Sequence, residues 1–360
     1  MAEIIYLITF NAMKKLQLFL LLAVFVNPIK AQIPTVLDLP LPKSYTAIRT
    51  DRPISVDGDV DRAWMDASWT DLFVDIEGDK NPAPYFDTRV KMLWDDDFIY
   101  FLADLEEEHI WGDITERDAV IFHNNDFEIF IKPDQFQPFY GEFEVNALGT
   151  LWELFLTRPY RRNGPVLDRW DVNGTKIGID IQGTLNDPSD TDNRWIVEMA
   201  IPLDAIAKLD RGSSVENGSL WRINFSRVQW QHQINEGIYS RKTDADGNRL
   251  PENNWVWTPQ SAVDMHRPEH WGYLYFADSE ESIIESDAFQ NEYQFLFYLY
   301  RHVLNSDEKI STQTQRPVIV NRQKLTYQID ETRLGFEITV QNQNGDALTI
   351  NQDGFIILNP

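Results

Sequence analysis

The sequence predicts an all-β protein, an antiparallel β-sandwich over residues 47–279 followed by a C-terminal α-helix and a small β-meander over 280–360. Three observations carry that expectation. Short runs rich in β-branched and aromatic residues recur between turn signals from about residue 47 onward, the spacing of a sandwich. GEFEVN and DFEIFIK alternate with a period of two, so that Glu142, Glu144 and Asn146 oppose Phe143 and Val145, and Asp126 and Glu128 oppose Phe127, Ile129 and Ile131. Beyond Ala277 the period changes, and Phe289, Tyr293, Phe297 and Tyr300 fall at steps of three or four.

In chain order, Met13, Lys14 and Lys15 precede the apolar run Leu16 to Val26, with Pro28 and Ala31 after it. Residues 1–31 thus read as a secretory signal cleaved near Ala31, with Met1 or Met13 as the start. The run is about 11 residues, short of the roughly 20 a spanning helix needs, so export is expected and a membrane span is not. Residues 32–46, with Pro34, Pro40 and Pro42, read as a linker. Strands are expected at Arg89 to Trp94, Phe98 to Leu105, Asp126 to Ile131, Gly141 to Asn146, Leu151 to Leu156, Trp195 to Ile201, Trp221 to Val228 and Trp271 to Phe276. FIYFLA is apolar on both faces and belongs in the middle of the sandwich. A helix of about six turns and then LTYQID, LGFEITVQ, ALTIN and FIILN, parted by Asn344-Gly345 and Asp353-Gly354, form the accessory subdomain.

Composition removes several classes of function. With 32 basic and 57 acidic residues the chain carries a net charge of -25, which repels nucleic acid and anionic lipid. There is no Cys, so disulfides, thiolate metal sites and thiol nucleophiles are out, and an exported chain of this kind suits a bacterial periplasm, cell surface or medium. The six His form no zinc pattern, and the adjacent Met265 and His266 cannot ligate one haem from both sides, so no haem is expected. No P-loop, dinucleotide fingerprint or G-x-S-x-G is present, so no nucleotide is expected.

The stretch from Trp221 to Phe276 holds five of the twelve Trp, interleaved with Arg, Asn, Gln and His. Rings beside planar hydrogen-bonding groups suit a sugar, whose C–H patches pack on aromatic faces while its hydroxyls bond polar groups; the same rings also make good sandwich core. Glu128, Glu142 and Glu144 share one surface if their strands are neighbours. They could be hydroxyl acceptors or the paired carboxylates of a glycosidase. Arg158, Arg161, Arg162 and Arg169 lie in one loop and could hold an acidic sugar or pair with the chain's own carboxylates. Asp187, Asp190 and Asp192 form an oxygen-rich loop of the sort Ca²⁺ accepts, or a solvated turn.

ISVDGDVDRAW, VKMLWDDDFIYFLADLEE, NNDFEIFIKPD, RWIVEMAIPLDAI and WGYLYF, in that order, resemble the family 9 carbohydrate-binding modules and their exported bacterial single-module relatives over roughly residues 50 to 277. The resemblance implies a glycan-binding β-sandwich that often holds a sugar between two rings, with structural calcium nearby. It implies Phe122 as one aromatic platform, Glu128 as hydroxyl acceptor and Arg227 at the polar strand position. The second platform falls near Met265 and His266, so Trp257 or Trp255 is expected to supply that ring. The function expected is binding of oligosaccharide or polysaccharide without catalysis, in polysaccharide catabolism. Its alternatives are a hydrolase of O-glycosyl bonds using the same face, and a structural or protein-docking sandwich.

Overall fold

The computed structural model describes residues 33–162, 164–210, 214–282, 285–306 and 313–359; the expected signal segment lies outside the described residues. The sandwich strands are β2 (Ser44–Arg49), β3 (Val74–Asp75), β4 (Thr88–Trp94), β5 (Phe98–Glu106), β6 (Asp126–Lys132), β7 (Tyr140–Asn146), β8 (Leu151–Leu156), β9 (Val166–Leu167), β10 (Lys176–Gln182), β11 (Arg194–Pro202), β12 (Leu220–Gln229), β15 (Asn253–Val256) and β16 (Gly272–Ala277). β13 (His232–Asn235) and β14 (Ile238–Arg241) form a separate hairpin. The short helix α1 spans Leu203–Ala207.

These strands make one ladder, ordered β10-β11-β5-β4-β2-β16-β12-β6-β7-β8-β9, with β15 joined to β12 and β3 to β15. The ladder folds over into two layers. Phe101 on β5 meets Phe225 on β12 edge-on at 5.9 Å although those strands share no hydrogen bonds. Phe101, Val197 and Met199 from one layer and Phe127, Phe143 and Phe225 from the other fill the space between. β5 lies between β11 and β4, which is why FIYFLA is apolar on both faces. β2 pairs in parallel with both β16 and β4, so an otherwise antiparallel sandwich is closed on one side by a strand shared between its layers.

The tail forms a second sheet, ordered β1-β17-β18-β19-β20-β21, from β1 (Val36–Leu37), β17 (Gln313–Val320), β18 (Gln323–Glu331), β19 (Phe336–Gln341), β20 (Ala347–Asn351) and β21 (Ile356–Asn359). α2 (Gln290–Leu304) packs its Tyr293, Leu296, Leu299 and Tyr300 into this sheet's core. Two expectations change here. Of the expected linker, residues 33–46 are not free: β1 runs parallel to β17, Leu39 donates its backbone N–H to Asn321 at 2.7 Å, and Ile33 and Leu37 pack on the tail core. The helix is 15 residues, about four turns, because it starts only after Phe289, which lies outside helical geometry at φ −109° and ψ 19° and whose N–H is taken by Asp287 at 3.0 Å. Among the described residues no helix is long and apolar enough to cross a membrane.

α2 docks on the outer face of the sandwich. Gln294 donates to the backbone carbonyl of Glu269 at 2.7 Å, and Arg301 grips the Glu269 carboxylate with Nε and Nη2 at 2.6 and 2.9 Å. The helix therefore covers one half of that face and leaves the other half open.

Candidate carbohydrate-binding cleft

The open half is built by alternation. β6 turns Phe127, Ile129 and Ile131 into the core and Asp126, Glu128 and Phe130 outward; β7 turns Phe143 and Val145 in and Glu142 and Glu144 out. Register places Glu128 directly opposite Glu144 on one side and Ser226 of β12 on the other. Carboxylate oxygens of Asp126, Glu128 and Glu144 lie within 4.8 Å of one another. All three are buried, as is Glu142. Like charges opposite each other in a sheet repel, and burial disfavours the ionised form. Burial pushes Glu128 up to about 7, with the Ser226 hydroxyl opposing and Glu252 adding. Asp126, Glu142 and Glu144 are raised well above the usual carboxylate range, first by burial and then by neighbouring carboxylates, Glu128 foremost.

These side chains floor a cleft of about 400 Å³, lined by Glu128, Glu142 and Glu144 below and by Phe122, Phe130, Trp152, Tyr160, Val228 and Met265 around them. Phe122 is held by its own backbone: its N–H donates to Glu144 at 3.1 Å, and its carbonyl accepts from the Trp230 indole at 2.8 Å. Trp152 lies opposite Glu144 across β7 and β8. At the rim Arg161 pairs with Asp264 at 3.7 Å. His266 shares a 2.6 Å hydrogen bond with Tyr140 and packs edge-on against Tyr160 at 4.4 Å. Burial, with Arg161 adding, holds His266 down at about 3, so the ring is neutral over the physiological range.

Phe122, Glu128, Glu142, Glu144, Arg161 and His266 of the expected site thus come together in one cleft. Arg227 does not. It lies one residue out of phase with Ser226, and a shift of one flips a side chain to the other face. Fully buried, it bonds Glu107, Thr88 and Gln229 at 3.0–3.1 Å and stacks over Trp255. Trp257 is also core, packed on the bare backbone of Gly272, where an added Cβ would fall 2.3 Å from its ring. All five Trp of the 221–276 stretch are buried, so the rings of the cleft come from elsewhere. Arg158 turns to the tail and pairs with Asp353 at 2.7 Å.

The calcium loop does not present a cage. Asp192 accepts from the backbone N–H groups of Ile110 and Thr184 at 2.7 and 2.6 Å, Asp190 accepts the Thr184 hydroxyl at 2.8 Å, and Asp187 accepts Ser189 N–H at 3.0 Å. These bonds brace turns, and Asp187 points into its own. Among the described residues, acidic side chains converge in threes at Asp126, Glu128 and Glu144, and at Asp118, Glu153 and Asp171. The second trio has Arg117 in its midst.

Trp152, Phe130 and Tyr160 were not singled out by sequence reasoning. The signal for Trp152 was present, since LWELFL places Trp152, Leu154 and Leu156 on one face. The model of the family described as "Carbohydrate family 9 binding domain-like" matches residues 56–153. Over those residues the chain is similar to that family. The family 9-like stretch supplies the cleft's floor from β6 and β7, together with Phe122 and Trp152. No curated protein matches the chain. Among solved structures, a "putative carbohydrate-binding protein" from Bacteroides uniformis aligns with a TM-score of 0.47 and 16% identity over 65% of this chain and 99% of its own. A family 9 carbohydrate-binding module from Caldicellulosiruptor kristjanssonii aligns in its glucose complex at 0.42 and 15%, over 67% and 99%, and in its cellotriose complex at 0.42 and 14%, over 68% and 100%.

Proposed function

We propose that this chain is an exported, non-catalytic carbohydrate-binding protein that captures oligosaccharide or polysaccharide for breakdown by other proteins. The observation that carries the reading is the cleft itself: ring faces from Phe122, Trp152 and Tyr160 beside hydrogen-bonding carboxylates, on a stretch that matches the family 9 model. Ring faces take the C–H patches of a sugar and carboxylates take its hydroxyls. The basic-apolar-small pattern from Lys14 to Ala31 supports export, which cell fractionation with N-terminal sequencing of the mature chain tests.

A hydrolase reading draws on Glu128, which at about 7 would suit a general acid. A glycosidase must also keep a second carboxylate ionised as base or nucleophile, and here Glu142 and Glu144 are raised as well. A glycan array followed by a reducing-end assay on each hit separates the two. Binding in the range of roughly 10–1,000 μM with no release of reducing ends is expected; steady release that vanishes in Glu128→Gln would make the chain an enzyme.

A further inference from the structure

Glu128, Glu142 and Glu144 floor the cleft, with the Asp126 carboxyl beside them, and no cation pairs with any of the four among the described residues. Asp126, Glu128, Glu142 and Glu144 are each at least nine-tenths buried. Among the described residues none of the four is ion-paired: Arg161 is engaged by Asp264 and His266 is neutral. Two oxygens, Asp126 Oδ2 and Glu142 Oε2, have no hydrogen-bond partner among the described residues. A buried acceptor without a partner is unfavourable, and in an open cleft a ligand's donor can satisfy it.

We infer that the cleft recognises a cationic amino sugar, a hexosamine unit whose protonated amino group sits among Glu128, Glu142 and Glu144; this rests on the carbohydrate reading above and names its ligand class. An ammonium group brings three N–H donors and one positive charge, which matches convergent acceptors that lack both. A neutral sugar hydroxyl brings one donor and no charge. The walls argue for an organic cation and against a bare metal ion. The space is about 400 Å³, within the size range of small-molecule pockets, and beyond the carboxylates it is lined by Phe122, Trp152, Leu154, Val228 and Met265. A divalent cation such as calcium wants six to eight oxygens. Aromatic faces instead attract a cation attached to a carbon skeleton and pack its C–H groups.

The test uses the full mature chain and three tetrasaccharides that share a β-1,4-glucose-type backbone and differ at C2: fully deacetylated chitosan tetramer, N-acetylated chitin tetramer and cellotetraose. Titration calorimetry near pH 6, with and without a chelator, is expected to give at least tenfold tighter binding of the deacetylated tetramer, unaffected by the chelator. In Glu142→Gln and Glu144→Gln that preference should shrink by tenfold or more. Equal affinity for all three would overturn the amino-sugar inference and leave the carbohydrate reading standing. Binding lost to the chelator and restored by calcium would replace the ammonium with a metal and overturn it too. If none of the three binds, the inference fails, and the glycan array decides the carbohydrate reading separately.

Discussion

The outer face of β6, β7 and β12 carries two buried charge clusters, and they are solved differently. At the covered end Glu269 is gripped by Arg301 at 2.6 and 2.9 Å with Arg267 at 3.6 Å. Burial alone would raise it, but Arg301, His270 and Arg267 together hold it down at about 2. Arg222 is buried beside it, donating to the Glu269 carbonyl at 2.8 Å and stacked 4.0 Å over Tyr273. At the open end Asp126, Glu128, Glu142 and Glu144 are equally buried, and all are pushed up. At one end folding pairs the buried carboxylate with arginines; at the other it leaves the carboxyl groups without a cation among the described residues. The tail explains why only one end is paired, since α2 supplies Arg301 there and does not reach the cleft.

The largest effects are expected where pairs are broken. Arg227→Ala strands Glu107, and Glu269→Ala strands Arg301 and Arg267; each should cost about 3–5 kcal/mol in urea unfolding. A loss under about 1 kcal/mol in either would mean that these contacts do not hold the fold, and the contrast between paired and unpaired ends would collapse.

Next in size is an opposed pH dependence. Glu128 is raised from 4.5 to about 7. Below pH 4.5 it is protonated folded or unfolded; between 4.5 and 7 only the unfolded chain releases the proton, so stability falls as pH rises, by on the order of 3 kcal/mol. Glu269 is lowered from 4.5 to about 2. Its contribution is present above pH 4.5 and is lost as pH falls toward 2, by a similar amount. Unfolding measured from pH 3 to 8 should show Glu128→Gln flattening the upper limb and Glu269→Gln the lower. Should Glu128→Gln leave the upper limb unchanged, the open end is not the source of that slope.

A smaller effect separates the ends by sign. At pH 8, Glu142→Gln removes a buried ionisable group set among other carboxyl groups, one of whose oxygens has no partner, and is expected to stabilise the chain by about 1–2 kcal/mol, where the same change at Glu269 destabilises it. A lowered thermal midpoint for Glu142→Gln would place that side chain among the structural groups. Smallest of all, Trp152→Ala should weaken sugar binding about tenfold, roughly 1.4 kcal/mol, read by calorimetry; undiminished affinity would remove Trp152 from the contact surface.

The sandwich strands were legible because β6 and β7 obey a period of two with a polar and an apolar set, and that alternation also assigned Glu128, Glu142 and Glu144 to one face. Arg227 was not assignable in this way. In β12 Asn224 and Ser226 alternate with the core residues Ile223 and Phe225, but Arg227 stands at an inward position against that pattern, and the partner that explains it is Glu107, 120 positions away. The role of Trp257 depends on Gly272 leaving room for its ring, a contact between residues that no local pattern joins. The seam was hidden for the same reason: Arg158 belongs to Asp353 and Arg301 to Glu269 only once the tail has docked.

The most direct test of the division between the two ends is Glu144→Gln, which keeps the acceptor for the Phe122 N–H and removes a buried ionisable group. Calorimetric titration with the oligosaccharide that binds the native chain tightest on the array, beside a thermal melt of the same sample, reads both halves of the claim. Binding reduced at least tenfold with an equal or higher melting midpoint is the predicted result. Binding at native affinity, or a lower midpoint as in Glu269→Ala, would contradict it.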